Sequence, residues 1–215
     1  LHILHVSTAK ELKLFSDAPL SEKLITAEAC IAHLIYGTSD YSKLGTRIKC
    51  NPAIKRPIEQ RAIRAAVNSG VIDVIATDHA PHLLSEKKGG ALKAMSGMPM
   101  IQFSLVSMLE LVDQGVFSLE TIVQKMCHAP AQIFGICRRG YIREGYQADL
   151  VLVRPNTPWE VTTKNILSKC GWSPLEGHTF NWKVEKTFAN GHLIYNDNKV
   201  DEAYRGEELR FDYKS

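Results

Sequence analysis

The sequence predicts an α/β fold built on a parallel sheet covered by helices, followed by a small β subdomain. Three observations carry that reading. Up to about residue 138, apolar strand-like runs alternate with runs of helical period. The strand runs are apolar throughout instead of alternating, the pattern of strands buried on both faces. Beyond residue 139, Gly140, Gly145 and Gly191 punctuate short strand-like runs, and Asn190-Gly191 is a hairpin turn signal. A parallel sheet of this kind is either doubly wound or a (β/α)8 barrel, and three strand–helix units do not close a barrel.

Taken in order, residues 1–6 (LHILHV) read as a buried strand and 8–15 as a helix capped by Ser7 or Thr8. Residues 24–28 are a second short strand, and 28–36 follow as a helix with an ambiguous start. The run 47–50 is short and stops at the turn Asn51-Pro52. Apolar residues at 58, 62, 63, 66 and 67 give helical 3,4 spacing over 58–69, closed by Gly70. Residues 71–77 (VIDVIAT) are a buried strand. Helices follow at 103–114, ending before Gly115, at 119–127 from Ser118, and at 130–134 with Pro130 in the first turn. The β subdomain offers strands at 141–143, 150–153, 184–189 and 192–195, and 156–181 is irregular. The expected organisation is a barrel portion at 1–138 and the β subdomain with the tail at 139–215. The chain opens in what reads as mid-strand, without Met, so it is expected to be the C-terminal portion of something longer.

Composition narrows the function classes. Of 215 residues, 45% are hydrophobic and 23% charged, and the formal net charge is +3. These are values of a globular protein and give no support to a nucleic-acid role. No apolar run approaches the roughly 20 residues of a membrane helix. The cysteines at 30, 50, 127, 137 and 170 show no CxxC spacing, so reduced thiols in a cytoplasmic protein are expected. There is no GxGxxG, P-loop, GxSxG or HExxH motif.

In a parallel α/β protein, chemistry gathers where strands end and helix N-termini begin. His5 ends the first strand; the plain alternative is a core histidine satisfied by a neighbour. Asp78 ends the run 71–77, where an unpaired acid is costly to bury, so it calls for a metal, an arginine or a substrate proton, or else caps the next loop. His79 and His82 lie just beyond. Asn51 closes the run 47–50 as a candidate ligand amide or a plain turn. Lys55 and Arg56 suit an anion or solvent equally. The backbone at Gly97, in Gly97-Met98-Pro99, suits close approach to a ligand or a tight turn. His33 and Glu28 receive no chemical role, and Cys50 reads as buried and inert.

Together these motifs resemble the C-terminal half of the dihydroorotases, in the amidohydrolase superfamily. The resemblance rests on Leu4-His5-Val6-Ser7-Thr8-Ala9, Ile25-Thr26-Ala27-Glu28 and Cys50-Asn51-Pro52-Ala53-Ile54-Lys55. It rests most on Asp73-Val74-Ile75-Ala76-Thr77-Asp78-His79-Ala80-Pro81-His82, followed by Glu86-Lys87. Ala129-Pro130-Ala131 with Phe134-Gly135 and Gly145-Tyr146-Gln147-Ala148-Asp149-Leu150 add support. It implies a (β/α)8 TIM-type barrel with a β-sandwich subdomain, one or two zinc ions, and the reversible cyclisation of N-carbamoyl-L-aspartate to L-dihydroorotate in pyrimidine biosynthesis. His5 and Asp78 would be metal ligands on the sixth and eighth strands, and Asp78 the proton shuttle. Asn51, His82 and the backbone at Gly97 would bind substrate. The implied partners are that small molecule and, in a homo-oligomer, further copies of the chain. The family's HxH pair, bridging lysine and fifth-strand histidine are not in this chain, and Lys55 stands where many relatives carry arginine. The alternatives are another cyclic amidohydrolase, an allantoinase or hydantoinase, and a non-catalytic amidohydrolase-like scaffold.

Overall fold

The structure, a computed structural model, describes residues 1–212; 213–215, at the end of the expected β subdomain, lie outside the described residues. The chain begins with β1 (His2–Ile3) and α1 (Ala9–Leu12). Thr8 caps α1: its hydroxyl accepts from the Glu11 N–H at 3.3 Å, while the Glu11 carboxylate accepts from the Thr8 N–H at 2.9 Å. Next come β2 (Thr26–Cys30), buried except at Glu28, then α2 (Ile31–Ile35) and α3 (Tyr41–Leu44). The run 47–50 forms no strand; a 3₁₀ turn, Gly45–Ile48, leads into it instead. Helix α4 (Pro57–Ser69) has Pro57 in its first turn, buries Ile63, Ala66 and Val67, and ends at Gly70 with φ 89°. That left-handed value is why a glycine closes the helix.

Strand β3 (Val74–Ala76) completes a parallel sheet of order β1-β2-β3, with Ile3 opposite Ala27 and Cys30 opposite Ala76. Strands β1 and β3 are shorter than their apolar runs, whose outer residues leave the ladder for the site and its loops, and β2 is as long as the expected strand at 24–28 but lies two residues further on. The short α5 (Gly90–Lys93) precedes α6 (Ser104–Asp113) and α7 (Leu119–Val123), which is capped by Ser118 accepting from the Thr121 N–H at 3.1 Å. Between α7 and α8 (Ala129–Ile133) runs one π turn, Gln124–His128, in which the Ala129 N–H reaches back to the Gln124 carbonyl. Pro130 has no N–H to offer the preceding turn and its ring crowds the carbonyl there; the wider turn absorbs that misfit.

Strands β4 (Leu150–Arg154), β5 (Trp159–Glu160), β6 (Thr179–Phe180), β7 (Lys183–Ala189), β8 (His192–Asn196) and β9 (Lys199–Val200) follow. They make an antiparallel sheet of order β4-β7-β8-β9 and a separate β5-β6 ladder. Asn190 and Gly191, with φ 52° and 81°, turn β7 into β8. Residues 141–143 form no strand. Tyr141 stacks on His128 with ring centroids 4.1 Å apart, and the Arg143 guanidinium lies 4.3 Å over the Tyr141 ring. This anchors the segment on the π turn and keeps it out of a ladder. The irregular segment 156–181 folds back onto the helices: Val161, Trp172 and Phe180 share one core with Ile31, Leu34, Ile63, Met98 and Phe103.

Candidate active site

The site is built where the parallel strands end. His5 lies two residues past Ile3, and Asp78 two residues past Ala76, the last paired residues of β1 and β3. Both take left-handed backbone, φ 43° and 45°. This costs an L-residue roughly 1–2 kcal/mol, and two such residues ending two strands of one sheet mark where strain is stored. Glu28 of β2 holds the first of them. Its Oε1 accepts from the His5 N–H at 3.3 Å and from the Cys30 thiol at 3.5 Å, and its backbone carbonyl accepts from the Val6 N–H at 2.8 Å. His2 is half-buried: its Nδ1 is 2.8 Å from the Thr26 hydroxyl and its Nε2 3.6 Å from Glu28 Oε2.

The Asp78 charge acts on three buried side chains, Cys30, His33 and Cys50. Burial pushes the Cys30 thiol well above its usual range, and Glu28 and Asp78 add to it. Burial, then Asp78, pushes the Cys50 thiol up to about 11. Both thiols therefore stay protonated and inert at neutral pH. His33 is pulled below the ordinary histidine value, first by burial, so it stays neutral. Its Nε2 donates to the Pro52 carbonyl at 2.8 Å, and its buried Nδ1 has no partner among the described residues.

Two loops follow the strand ends. One carries exposed Asn51, whose peptide bond to Pro52 is cis; the other, 77–98, carries half-buried His82 and buried Gly97. They are joined by the Gly97 N–H donating to the Lys49 carbonyl at 2.8 Å. Gly97 has φ 124°, and a Cβ there would lie 2.4 Å from the Ala80 Cβ and 3.3 Å from His82 Cδ2, so a side chain is excluded. The Trp172 indole N–H donates to the His82 carbonyl at 2.8 Å, fixing the loop from the irregular segment.

Thus His5 and Asp78 come to one end of one sheet, and Asn51, His82 and Gly97 lie on two loops bonded to each other. His5 and Asp78 are donors of the kinds zinc takes, but zinc needs three or four protein ligands. Among the described residues no group of three or more His, Cys, Asp or Glu could hold a metal ion. The residues present fit part of a metal site, not a whole one. Glu28, His33, Lys87 and Trp172 are contributors that the residue pattern left without a role. Only Glu28 carried a signal, as an acid inside an otherwise apolar strand.

Residues 4–194 match the amidohydrolase family. The chain is 34% identical over 212 residues to a dihydroorotase of Pyrococcus furiosus, covering 97% of this chain and 48% of that protein. It is 30% identical over 199 residues to an allantoinase of Bacillus velezensis, covering 92% of this chain and 43% of that one. Among solved structures it is similar to the L-hydantoinase (dihydropyrimidinase) of Arthrobacter aurescens, with TM-score 0.87 and 26% identity, covering 93% of this chain and 46% of that one. The chain spans about half the length of the curated relatives it matches. No helix among the described residues is long and apolar enough to cross a membrane.

Proposed function

Because this chain belongs to the amidohydrolase family and has part of its TIM-type barrel fold, we propose that the protein carrying it is a dihydroorotase. It would interconvert N-carbamoyl-L-aspartate and L-dihydroorotate. The observation that carries the proposal is the placement of His5 and Asp78. Each sits in strained left-handed backbone two residues past a parallel strand, beside loops that present Asn51, His82 and Gly97. The identity to dihydroorotases supports the substrate.

His5 and Asp78 would hold the zinc, together with ligands from beyond this chain's own donors. When bound, the metal supplies a Lewis acid that polarises the scissile carbonyl and brings the pKa of a water to about 7. Asp78 takes a proton from the attacking water as the new C–O bond forms. It returns that proton to the ring nitrogen as the C–N bond breaks. In the direction of ring closure the ureido nitrogen gives its proton to Asp78 as the C–N bond forms; Asp78 passes that proton to the leaving carboxylate oxygen, which takes one more from solvent and departs as water as its C–O bond breaks. Glu28 keeps His5 in place through its main chain. The Asn51 amide offers a donor and an acceptor to the flat ring, and His82 a donor to its carboxylate.

A ring-opening assay with dihydroorotate, hydantoin and allantoin tests this. Turnover of dihydroorotate is the expected result, and hydrolysis of hydantoin or allantoin alone overturns the substrate assignment. A second reading, another cyclic amidohydrolase, is favoured by the likeness to an L-hydantoinase and an allantoinase. A non-catalytic scaffold would bind substoichiometric zinc and stay inactive after zinc is restored.

A further inference from the structure

We infer that Lys87 is a positioning residue: its ammonium locks together the two loops that border the site and thereby sets how tightly substrate is held. The inference rests on the reading above of Asn51 and Gly97 as substrate contacts.

Lys87 is 2% exposed, one of the largest fully buried side chains of the molecule. A buried ammonium ordinarily demands a carboxylate. Here its Nζ donates instead to three main-chain carbonyls, Lys49 at 3.0 Å, Met95 at 2.7 Å and Gly97 at 2.6 Å. An ammonium has three N–H bonds, so the set is complete. The acceptors come from both loops. Lys49 lies two residues before Asn51, and its carbonyl also takes the Gly97 N–H. The same seam is stitched twice more: the Thr46 hydroxyl donates to the Lys87 carbonyl, and the Lys49 ammonium donates to the Ala94 carbonyl. From Lys87 the seam runs to Gly97, against which Ala80 packs so closely that a Gly97 Cβ would stand 2.4 Å from the Ala80 Cβ, with His82 Cδ2 3.3 Å from the same point. Burial lowers the Lys87 ammonium to about 8, with Cys50 opposing and Lys49 adding to the shift. The protein thus keeps a costly cation at a seam between loops, where a methionine would fill the space without that cost.

None of the three carbonyls belongs to His5 or Asp78, so loss of the ammonium is expected to act on substrate binding and to leave the proposed proton transfer at Asp78 in place. In the intact protein, Lys87→Met is expected to raise KM about tenfold while kcat falls less than about threefold, the pattern of lost uniform binding. Lys87→Arg keeps the charge, but its planar fork does not match three converging carbonyls. It is expected to raise KM in the same sense and serves if the methionine variant does not fold. Unchanged KM in a folded variant, or loss of kcat with KM unmoved, overturns the inference. Peptide-resolved hydrogen exchange provides a second arm that needs no turnover. Residues 46–55 and 79–98 are expected to exchange faster in the variants, with the strands at 26–30 and 74–76 unchanged. If the wild type turns over none of the cyclic amides, the functional reading fails and exchange alone judges the seam. Faster exchange everywhere, or nowhere, then overturns it.

Discussion

Lys23 and Asp73, at the N-terminal end of the parallel sheet, pair at 2.7 Å with side chains 2% and 5% exposed. Arg154 and Glu185, on the neighbouring strands β4 and β7 of the antiparallel sheet, pair at 2.8 Å with side chains 60% and 32% exposed. The distances are alike and the surroundings opposite. At this end of the parallel sheet the Lys23–Asp73 pair lies buried, and both groups have further partners. Asp73 also accepts from the Ala27 N–H at 2.9 Å, and Lys23 also donates to the Gly70 carbonyl at 2.7 Å. In the antiparallel sheet, charges line a half-exposed ribbon where water competes for them. The comparison teaches that burial, more than separation, decides what a charge does in this molecule. It also splits the parallel sheet by end: the N-terminal end holds a buried ion pair, and the C-terminal end is where the proposed chemistry would take place.

The sharpest test of that division is at Asp78. Asp78→Asn removes the proposed proton acceptor and keeps the shape, so kcat is expected to fall by about 10²–10⁴-fold, the range of general acid–base catalysis. Circular dichroism should show an unchanged fold. Near-normal turnover would remove the chemistry from this end of the sheet. Asp73→Asn acts at the other end. It leaves the Lys23 ammonium buried with only a carbonyl to meet its charge, at an expected cost of about 3–5 kcal/mol in a urea titration. A loss below about 1 kcal/mol would place this pair with the surface ones.

His33 sharpens the comparison through pH. Its folded pKa is depressed, chiefly by burial, while in the unfolded chain it titrates near 6.5. The unfolded state therefore binds more protons as acid is added. The stability contributed by neutral His33 is full above about pH 6.5 and falls as pH drops through that value, no more steeply than about 1.4 kcal/mol per pH unit. His33→Gln should remove that component, so that the stability gap between variant and wild type narrows between pH 7.5 and 5.5. A gap that stays constant would mean His33 takes up its proton in place.

How much of this could be seen in the residues alone follows the same line. His5 and Asp78 stood out because a polar group ending an apolar run is a local signal. Helix α4 and the Asn190-Gly191 turn stood out for the same reason: period and turn chemistry are written in adjacent residues. Lys87 enters the sequence reading only within the pair Glu86-Lys87 and without a role, since charge alone does not separate it from Lys88 and its partners, the carbonyls of Lys49 and Gly97, are distant. Trp172 belongs to an irregular stretch, and its partner, the His82 carbonyl, lies 90 residues away. The π turn escaped detection because its cause, Pro130, reads equally well as a helix start. The missing strand at 141–143 reflects a preference for His128 over a neighbouring strand.

Arg154 and Glu185 give the smallest expected effect and the cleanest control. The carboxylate accepts from the Arg154 Nε at 3.1 Å and from its Nη2 at 2.9 and 2.8 Å, a better hydrogen-bond set than Lys23 gives Asp73. Geometry alone would therefore rank this pair higher. Its exposure reverses the ranking, because water replaces each lost bond when one partner is removed. Arg154→Gln and Glu185→Gln are each expected to leave the Tm within scanning error by calorimetry. The double variant should match the sum of the two. A drop in Tm as large as that of Asp73→Asn would show that hydrogen-bond geometry outweighs burial here, and the contrast between the two sheets would have to be drawn on bond count instead.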